Sequence, residues 1–140
     1  MDFDTVEAPE LGRSLTGVGV NLLTRDAAAL AEFLTDVFGM AAHQVSADFA
    51  LMVHEGGTLQ LHGHGTYAGH PLHALLPESG AAGAAVQVYL FNCDPDTAVA
   101  RAEAGGGTVV ELPRDKPHGL REATILSPEG FAFSPAVPLR

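Results

Sequence analysis

Histidines are the residues of this chain whose spacing most directly suggests chemistry. Five of the seven histidines lie within twenty residues, and a single glycine separates two of them. Neutral imidazoles grouped in this way can bind zinc, copper or nickel. The alternative is that an exposed, glycine-rich linker accumulates polar residues, because no carboxylate or cysteine joins the group at a recognised metal-binding spacing. The cluster consists of His54, His62, His64, His70 and His73.

Other reactive groups indicate less. Cys93 is the only cysteine, which excludes an intrachain disulfide and a cysteine-based zinc cluster. Its place before a helix start would favour a thiolate, but we interpret it as a small buried hydrophobe. No phosphate-binding loop or nucleophile elbow is present. The formal net charge of -10, with only seven Lys plus Arg, argues against a nucleic-acid surface and suits a cationic small molecule.

The elements that must position these residues occur twice. Each half has an alternating strand, a helix that ends in glycine, and further strands closed by a Glu-Gly turn. Asp26 and Asp94 are the predicted N-caps of the two helices, and the turns are predicted at Glu55-Gly56 and Glu129-Gly130. A repeat of this kind determines the architecture. We predict an α+β fold of two tandem βαβββ modules that form a cup-shaped sheet. The predicted parts are a loosely held N-terminal arm at 1–14, modules at 15–64 and 84–138, and a linker at 65–83.

Alternation assigns the faces of the first strand in each module. Val18, Val20 and Leu22 form one apolar set, and Val86, Val88 and Leu90 form the other. A period of two places each set opposite a more varied face, and the two helices are expected to cover the apolar sets. Further strands are predicted at 42–45, 50–54, 58–62, 108–112, 123–126 and 131–134, with a helical turn at 73–76.

Two segments carry a resemblance to a known family. The segment RDAAALAEFLTDVFGM is similar to an Asp-started helix, and DPDTAVARAEAGGGTVVELPRDKPHGLREATILSPEGFAF is similar to a helix, a Gly-Gly-Thr strand and a hairpin. With the paired βαβββ repeat, they resemble the vicinal oxygen chelate superfamily of glyoxalases, bleomycin-resistance proteins and dioxygenases. The resemblance covers residues 15–138 and concerns the fold more than the reaction.

Enzymes of this superfamily bind a divalent metal through one side chain from the first and last strand of each module. The resemblance places those positions at Gly19, Gln60, Gln87 and Ser134. Glycine offers no side chain, and neutral amide and hydroxyl groups hold a divalent cation weakly. We therefore expect that the superfamily's metal site is absent and that the protein needs no cofactor.

The varied strand faces are then expected to line a concave binding surface. Amide, hydroxyl and aromatic groups of this kind are typical of a small-molecule pocket. His62 lies on this face by strand parity, where it could bind a ligand by a hydrogen bond or act as an acid or base. The candidate ligand-binding residues are Asn21, Gln60, His62, Gln87, Tyr89, Phe91 and Ser134.

The sequence thus favours a metal-free protein that binds a small organic molecule. One alternative is a metal-dependent lyase, isomerase or dioxygenase that uses a displaced site at His62 and His64. The other is a non-catalytic partner or sensor module, so whether the protein is an enzyme stays open. The resemblance implies a homodimer. No apolar run is long enough to span a bilayer and no signal peptide is recognisable, so we expect a cytoplasmic location and no nucleic-acid or membrane partner.

Overall fold

The computed structural model describes all 140 residues. The helices are α1 (Ala8–Ser14), α2 (Ala27–Phe38) and α3 (Pro95–Ala102). The strands are β1 (Val20–Thr24), β2 (Ala41–His43), β3 (Phe49–His54), β4 (Gly57–Gly63), β5 (Gly83–Phe91), β6 (Thr108–Asp115), β7 (Leu120–Leu126) and β8 (Phe131–Pro138).

The strands form two four-stranded sheets with the same topology. Their orders are β1-β4-β3-β2 and β5-β8-β7-β6. In each sheet the first strand pairs parallel with the last one, and the remaining pairs are antiparallel. The predicted α+β class and the two tandem βαβββ modules are therefore confirmed.

Local sequence signals explain where the repeated elements begin and end. Asp26 accepts a hydrogen bond from the backbone nitrogen of Ala29, and Asp94 accepts one from that of Asp96, so both predicted N-caps are confirmed. Gly39 follows α2 with a φ of 75° that favours glycine. Glu55 and Gly56 both have positive φ, which is the geometry of a tight hairpin turn between β3 and β4.

Two compact units make up the chain, and their division runs through α2. The first unit contains residues 1–31 and 41–75, and the second contains residues 32–40 and 76–140. In the second unit, the ring of Phe38 lies 5.6 Å from that of Phe133. The later part of α2 thus helps to build the core of the second unit, which the repeat alone did not predict. The module and linker boundaries given above stay predictions.

Two of the predicted core valines lie on the surface. Val18 is 97% exposed because β1 begins only at Val20, after Gly17 has turned the chain with a φ of 75°. Val86 is 65% exposed, and the pairing of β5 with β8 is irregular between Gly83 and Gln87. The alternation holds only where the strands pair regularly.

The N-terminal segment is not the loosely held arm expected from its composition. It contains α1, and Leu11 of this helix is buried with Val6 against Leu51 of β3. Two short 3₁₀ helices follow β4. One, at His64–Tyr67, begins one residue before the predicted linker, and the other, at Pro71–Leu75, overlaps the predicted helical turn. No helix of the protein is long and apolar enough to span a membrane.

Candidate functional site

In the first unit, α1 lies over one face of the sheet. Phe3 and Phe49 pack beside the buried group of Val6, Leu11 and Leu51. The Gln44 side chain donates hydrogen bonds to the carbonyl oxygens of Phe3 and Val6, at 2.8 and 3.1 Å. These contacts attach the N-terminal segment to β3 and to the loop that follows β2.

Attachment of α1 leaves a cavity of about 270 Å³ between the helix and the sheet. The helix side of the wall is apolar and includes Leu11 and Leu15. The sheet side includes Gln60 and His62 of β4, which alternate along the strand and therefore share a face. The lining combines an apolar surface with a few polar groups, as small-molecule sites do.

His62 is the imidazole of this cavity wall, and several neighbours hold its ring. Its Nδ1 lies 2.6 Å from Oδ1 of Asn21, and the Asn21 amide nitrogen donates to the Tyr67 hydroxyl at 2.7 Å. The ring makes edge contacts with Phe49 and Tyr67, at centroid distances of 5.0 and 5.8 Å. Burial lowers the pKa of His62 below its usual value, which favours the neutral form.

Beside this cavity, a smaller cleft brings together two positions that the resemblance assigned to metal binding. Gly19 and Gln60 both line this cleft of about 110 Å³. A Cβ atom added at Gly19 would meet nothing within 4 Å, so the space of the missing side chain is open. Of these two residues, only Gln60 has a side chain with an atom that could coordinate a metal.

The second unit presents a different set of groups on the corresponding face. Gln87 donates to the Ser134 hydroxyl at 2.8 Å, and that hydroxyl lies 3.0 Å from the Thr124 hydroxyl. The rings of Tyr89 and Phe91 stack 5.3 Å apart with an interplanar angle of 9°. Gln87 and Ser134, the two positions of this unit that the resemblance assigns to metal binding, are thus hydrogen-bonded to each other through neutral groups.

Glu122 of β7 is a buried carboxylate in the second unit. It is only 3% exposed and lies 2.6 Å from Nε2 of His118. Hydrogen bonding with Glu122 raises the pKa of Tyr89, and burial and the negative charge of that carboxylate raise it further. Sequence reasoning missed Glu122 because the strand was predicted to begin at Ala123. Extending the predicted strand by one residue towards its N-terminus would have placed Glu122 on the same face as Thr124.

The donors at the four superfamily positions do not fit a divalent metal. Gly19 has no side chain, and Ser134 is fully buried between Gln87 and Thr124. Within one chain, no three His, Cys, Asp or Glu side chains group so as to hold a metal ion. His64, for example, directs Nε2 to the carbonyl oxygen of Leu23 at 3.3 Å.

The seven predicted ligand-binding residues fall into two groups, one in each unit. Asn21, Gln60 and His62 lie in the first unit, and Gln87, Tyr89, Phe91 and Ser134 lie in the second. The structure brings Asn21 to His62, Gln87 to Ser134, and Tyr89 to Phe91. That all seven line one concave surface stays a prediction. The sequence interpretation also missed α1, although Leu11 and Leu15 have helical i, i+4 spacing.

Cys93 behaves as the small buried hydrophobe predicted for it. Its thiol donates a hydrogen bond to the Phe38 carbonyl oxygen at 3.5 Å. Burial and the neighbouring Asp94 carboxylate raise the pKa of Cys93 to about 11, so the thiolate is scarce at neutral pH. This residue is therefore not an activated nucleophile.

Comparison with known proteins gives one family and many similar structures. The family model described as "Glyoxalase/Bleomycin resistance protein/Dioxygenase superfamily" matches residues 18–134. A glyoxalase/bleomycin resistance protein/dioxygenase family enzyme from Burkholderia phytofirmans PsJN is 25% identical, with a TM-score of 0.70 over 86% of this chain and 96% of that one. A glyoxalase-related enzyme from Fulvimarina pelagi is 18% identical, with a TM-score of 0.67 over 88% of each chain.

A third similar structure comes from Nocardioides and is described as a glyoxalase/bleomycin resistance protein/dioxygenase. It is 23% identical, with a TM-score of 0.64 over 94% of this chain and 91% of that one. At 18% and 23% identity, the similarities to the Fulvimarina pelagi and Nocardioides structures concern the fold alone. No curated protein matches the chain.

Proposed function

Since the chain belongs to the glyoxalase/bleomycin resistance protein/dioxygenase superfamily, we propose that it binds a small organic molecule without the superfamily's metal. The cavity between α1 and the first sheet carries this proposal. Its volume of about 270 Å³ lies just below the range of drug-sized sites, which suits a ligand smaller than a typical drug.

Chemistry of the cavity wall supports a binding role. Leu11, Leu15 and Phe49 offer apolar surface, while Gln60 and His62 offer polar groups on one side. An apolar wall provides most of the binding free energy, and a few polar groups orient the ligand. Binding here requires no metal ion, because the polar groups can hydrogen-bond the ligand directly.

The second unit contributes a further candidate contact surface to the proposal. The stacked rings of Tyr89 and Phe91, with Phe91 53% exposed, can hold a flat ligand, and the amide of Gln87 lies on the same sheet face. Ser134 lies on this face too, but its hydroxyl is buried beneath Gln87 and can act only through that amide. We also propose a cytoplasmic homodimer; a monomeric mass in light scattering would contradict the dimer.

A thermal-shift screen of small organic molecules tests the cavity as the binding site. Gly12 lines the cavity and an added Cβ would meet nothing within 4 Å, so we expect the side chain of Gly12→Leu to occupy cavity space. Gly69→Leu is a matched control, because Gly69 is exposed and equally unhindered. A ligand at a hundredfold excess over its Kd stabilises the fold by about 2.7 kcal/mol. We expect Gly12→Leu to abolish the shift and Gly69→Leu to retain it.

Two outcomes would favour the alternatives. If no compound shifts the unfolding temperature of the unmodified protein, a non-catalytic partner or sensor module is favoured. If elemental analysis of untagged protein finds about one transition metal per chain, and His62→Ala loses that metal, a metal-dependent lyase, isomerase or dioxygenase is favoured. Equal shifts in both glycine variants would place the binding site outside the cavity.

A further inference from the structure

We infer that the cavity of the first unit selects an uncharged ligand that donates a hydrogen bond, from an O–H or N–H group, to Nε2 of His62. This inference rests on the proposed function, since it specifies the chemistry of the molecule bound there. It goes further by assigning Asn21 and Tyr67 as positioning residues. They determine which of the two His62 nitrogens is left for a ligand.

The first step concerns the amide of Asn21. In the structure its nitrogen donates to the Tyr67 hydroxyl at 2.7 Å, and its oxygen lies 2.6 Å from Nδ1 of His62. An amide oxygen can only accept, which requires the proton of the neutral imidazole to be on Nδ1. Nε2 is then a hydrogen-bond acceptor.

The second step concerns the orientation of the imidazole ring. Phe49 and Tyr67 make edge contacts with it at interplanar angles of 67° and 70°. Rotation of the ring by half a turn would keep its plane and both ring contacts but would put a carbon in place of Nδ1 beside Asn21 and break the hydrogen bond. The hydrogen bond to Asn21 therefore fixes the orientation of the ring, and Nε2 is the nitrogen that it leaves to a ligand in the cavity lined by His62.

The third step concerns charge. The cavity wall contains no Lys, Arg, Asp or Glu. An anionic ligand would find no cation there and a cationic ligand would find no carboxylate, and an unpaired buried charge is costly. Gln44 offers little to a ligand, because its amide nitrogen already donates to the carbonyl oxygens of Phe3 and Val6. An uncharged ligand that donates to Nε2 of His62 suits this wall, where the Gln60 amide can add a further donor and acceptor.

The first measurement is the tautomer of His62 in the ligand-free protein, read from long-range ¹H–¹⁵N NMR correlations of the full chain. We expect the Nδ1–H form in the unmodified protein and a mixture of tautomers in Asn21→Leu. His73→Gln is the control variant, since His73 is exposed and should leave the His62 signals unchanged. An Nε2–H form in the unmodified protein would overturn the inference without affecting the proposed function.

The second measurement compares three single-ring probes by NMR titration. Phenol carries an O–H donor, anisole has the same ring with that donor methylated, and benzoate is an anion. We expect phenol to bind about fivefold more tightly than anisole, the usual contribution of one hydrogen bond, and to shift the Nε2 resonance. Benzoate should bind more weakly than phenol.

The outcomes of this titration separate the two proposals. Equal affinity for phenol and anisole, with shifts at the cavity residues, would retain the cavity as a binding site and overturn the inference. Tightest binding of benzoate would also overturn it. Absence of shifts with all three probes would contradict both the cavity as a small-molecule site and the inference that depends on it.

Discussion

The two units repeat one topology, yet the corresponding sheet faces differ in what lies on them. In the first unit, α1 covers the face and leaves a cavity beside His62. In the second unit, that face carries the stacked rings of Tyr89 and Phe91, and Phe91 is 53% exposed. A single short helix at the N-terminus thus gives one copy of the repeat a partly open pocket.

The polar groups of the two faces differ in the same way. In the first unit, hydrogen bonds join the imidazole of His62 to the amide of Asn21 and that amide to the phenol of Tyr67. The second unit buries a carboxylate, Glu122, which His118 and Tyr89 contact. Repetition of a fold therefore does not repeat its chemistry, because strand pairing constrains the backbone and leaves the face residues free to vary.

Truncation of Leu11, the buried side chain of α1, should have the largest effect among the changes that test the difference between the two units. Leu11→Ala removes a side chain that is 7% exposed, and we expect a loss of about 2–3 kcal/mol in the free energy of unfolding. Phe91→Ala in the second unit is the control and should cost less than about 1 kcal/mol, because Phe91 is half-exposed. Urea unfolding measures both. Equal costs would show that α1 is no better packed than a surface residue.

Neutralising the buried carboxylate of the second unit should have a moderate effect. Glu122→Gln keeps the side-chain shape but removes the charge beside Tyr89, so the Tyr89 pKa should fall towards its usual value. We expect the free energy of unfolding to change by about 1 kcal/mol. Ultraviolet titration follows the change, with Tyr67→Phe used to separate the two tyrosines. An unchanged Tyr89 pKa would contradict the contact with Glu122.

Acidification should produce the smallest effect, through His62 of the first unit. Its pKa in the folded protein is lowered by burial, so the unfolded chain takes up the proton first as the pH falls. Above its usual pKa of 6.5, His62 is neutral in both the folded and the unfolded chain and does not reduce the free energy of unfolding. As the pH falls below that value, the free energy of unfolding decreases. Urea unfolding at several pH values should show a shallower acid decline in His62→Gln. Identical profiles would contradict the lowered pKa.

Much of the fold was predictable because its signals are local. Asp26 and Asp94 were identified as helix caps from residue type and position, and Gly56 as part of a hairpin turn. The same topology in both sheets followed from the repeat. The caps and turns depend on contacts within a few residues, and such contacts are encoded by short stretches of sequence.

Burial at strand ends was less predictable. Val18 and Val86 fit the apolar alternation but lie at 97% and 65% exposure, since regular strand pairing starts after both of them. Alternation describes which way a side chain points if the strand continues. It does not say where the neighbouring strand begins, because that depends on the register between distant segments.

The sequence by itself determined the α+β class, the two βαβββ modules, the caps and turns, and the membership of His62 in a polar strand face. Only the tertiary structure decided that α1 covers that face, that Asn21 and Tyr67 hold the imidazole, and that Glu122 is buried beside His118 and Tyr89. The physical reason is the distance along the chain. Asn21 and Tyr67 are 46 residues apart, and their contact exists only once the strands and the 3₁₀ helix have come together.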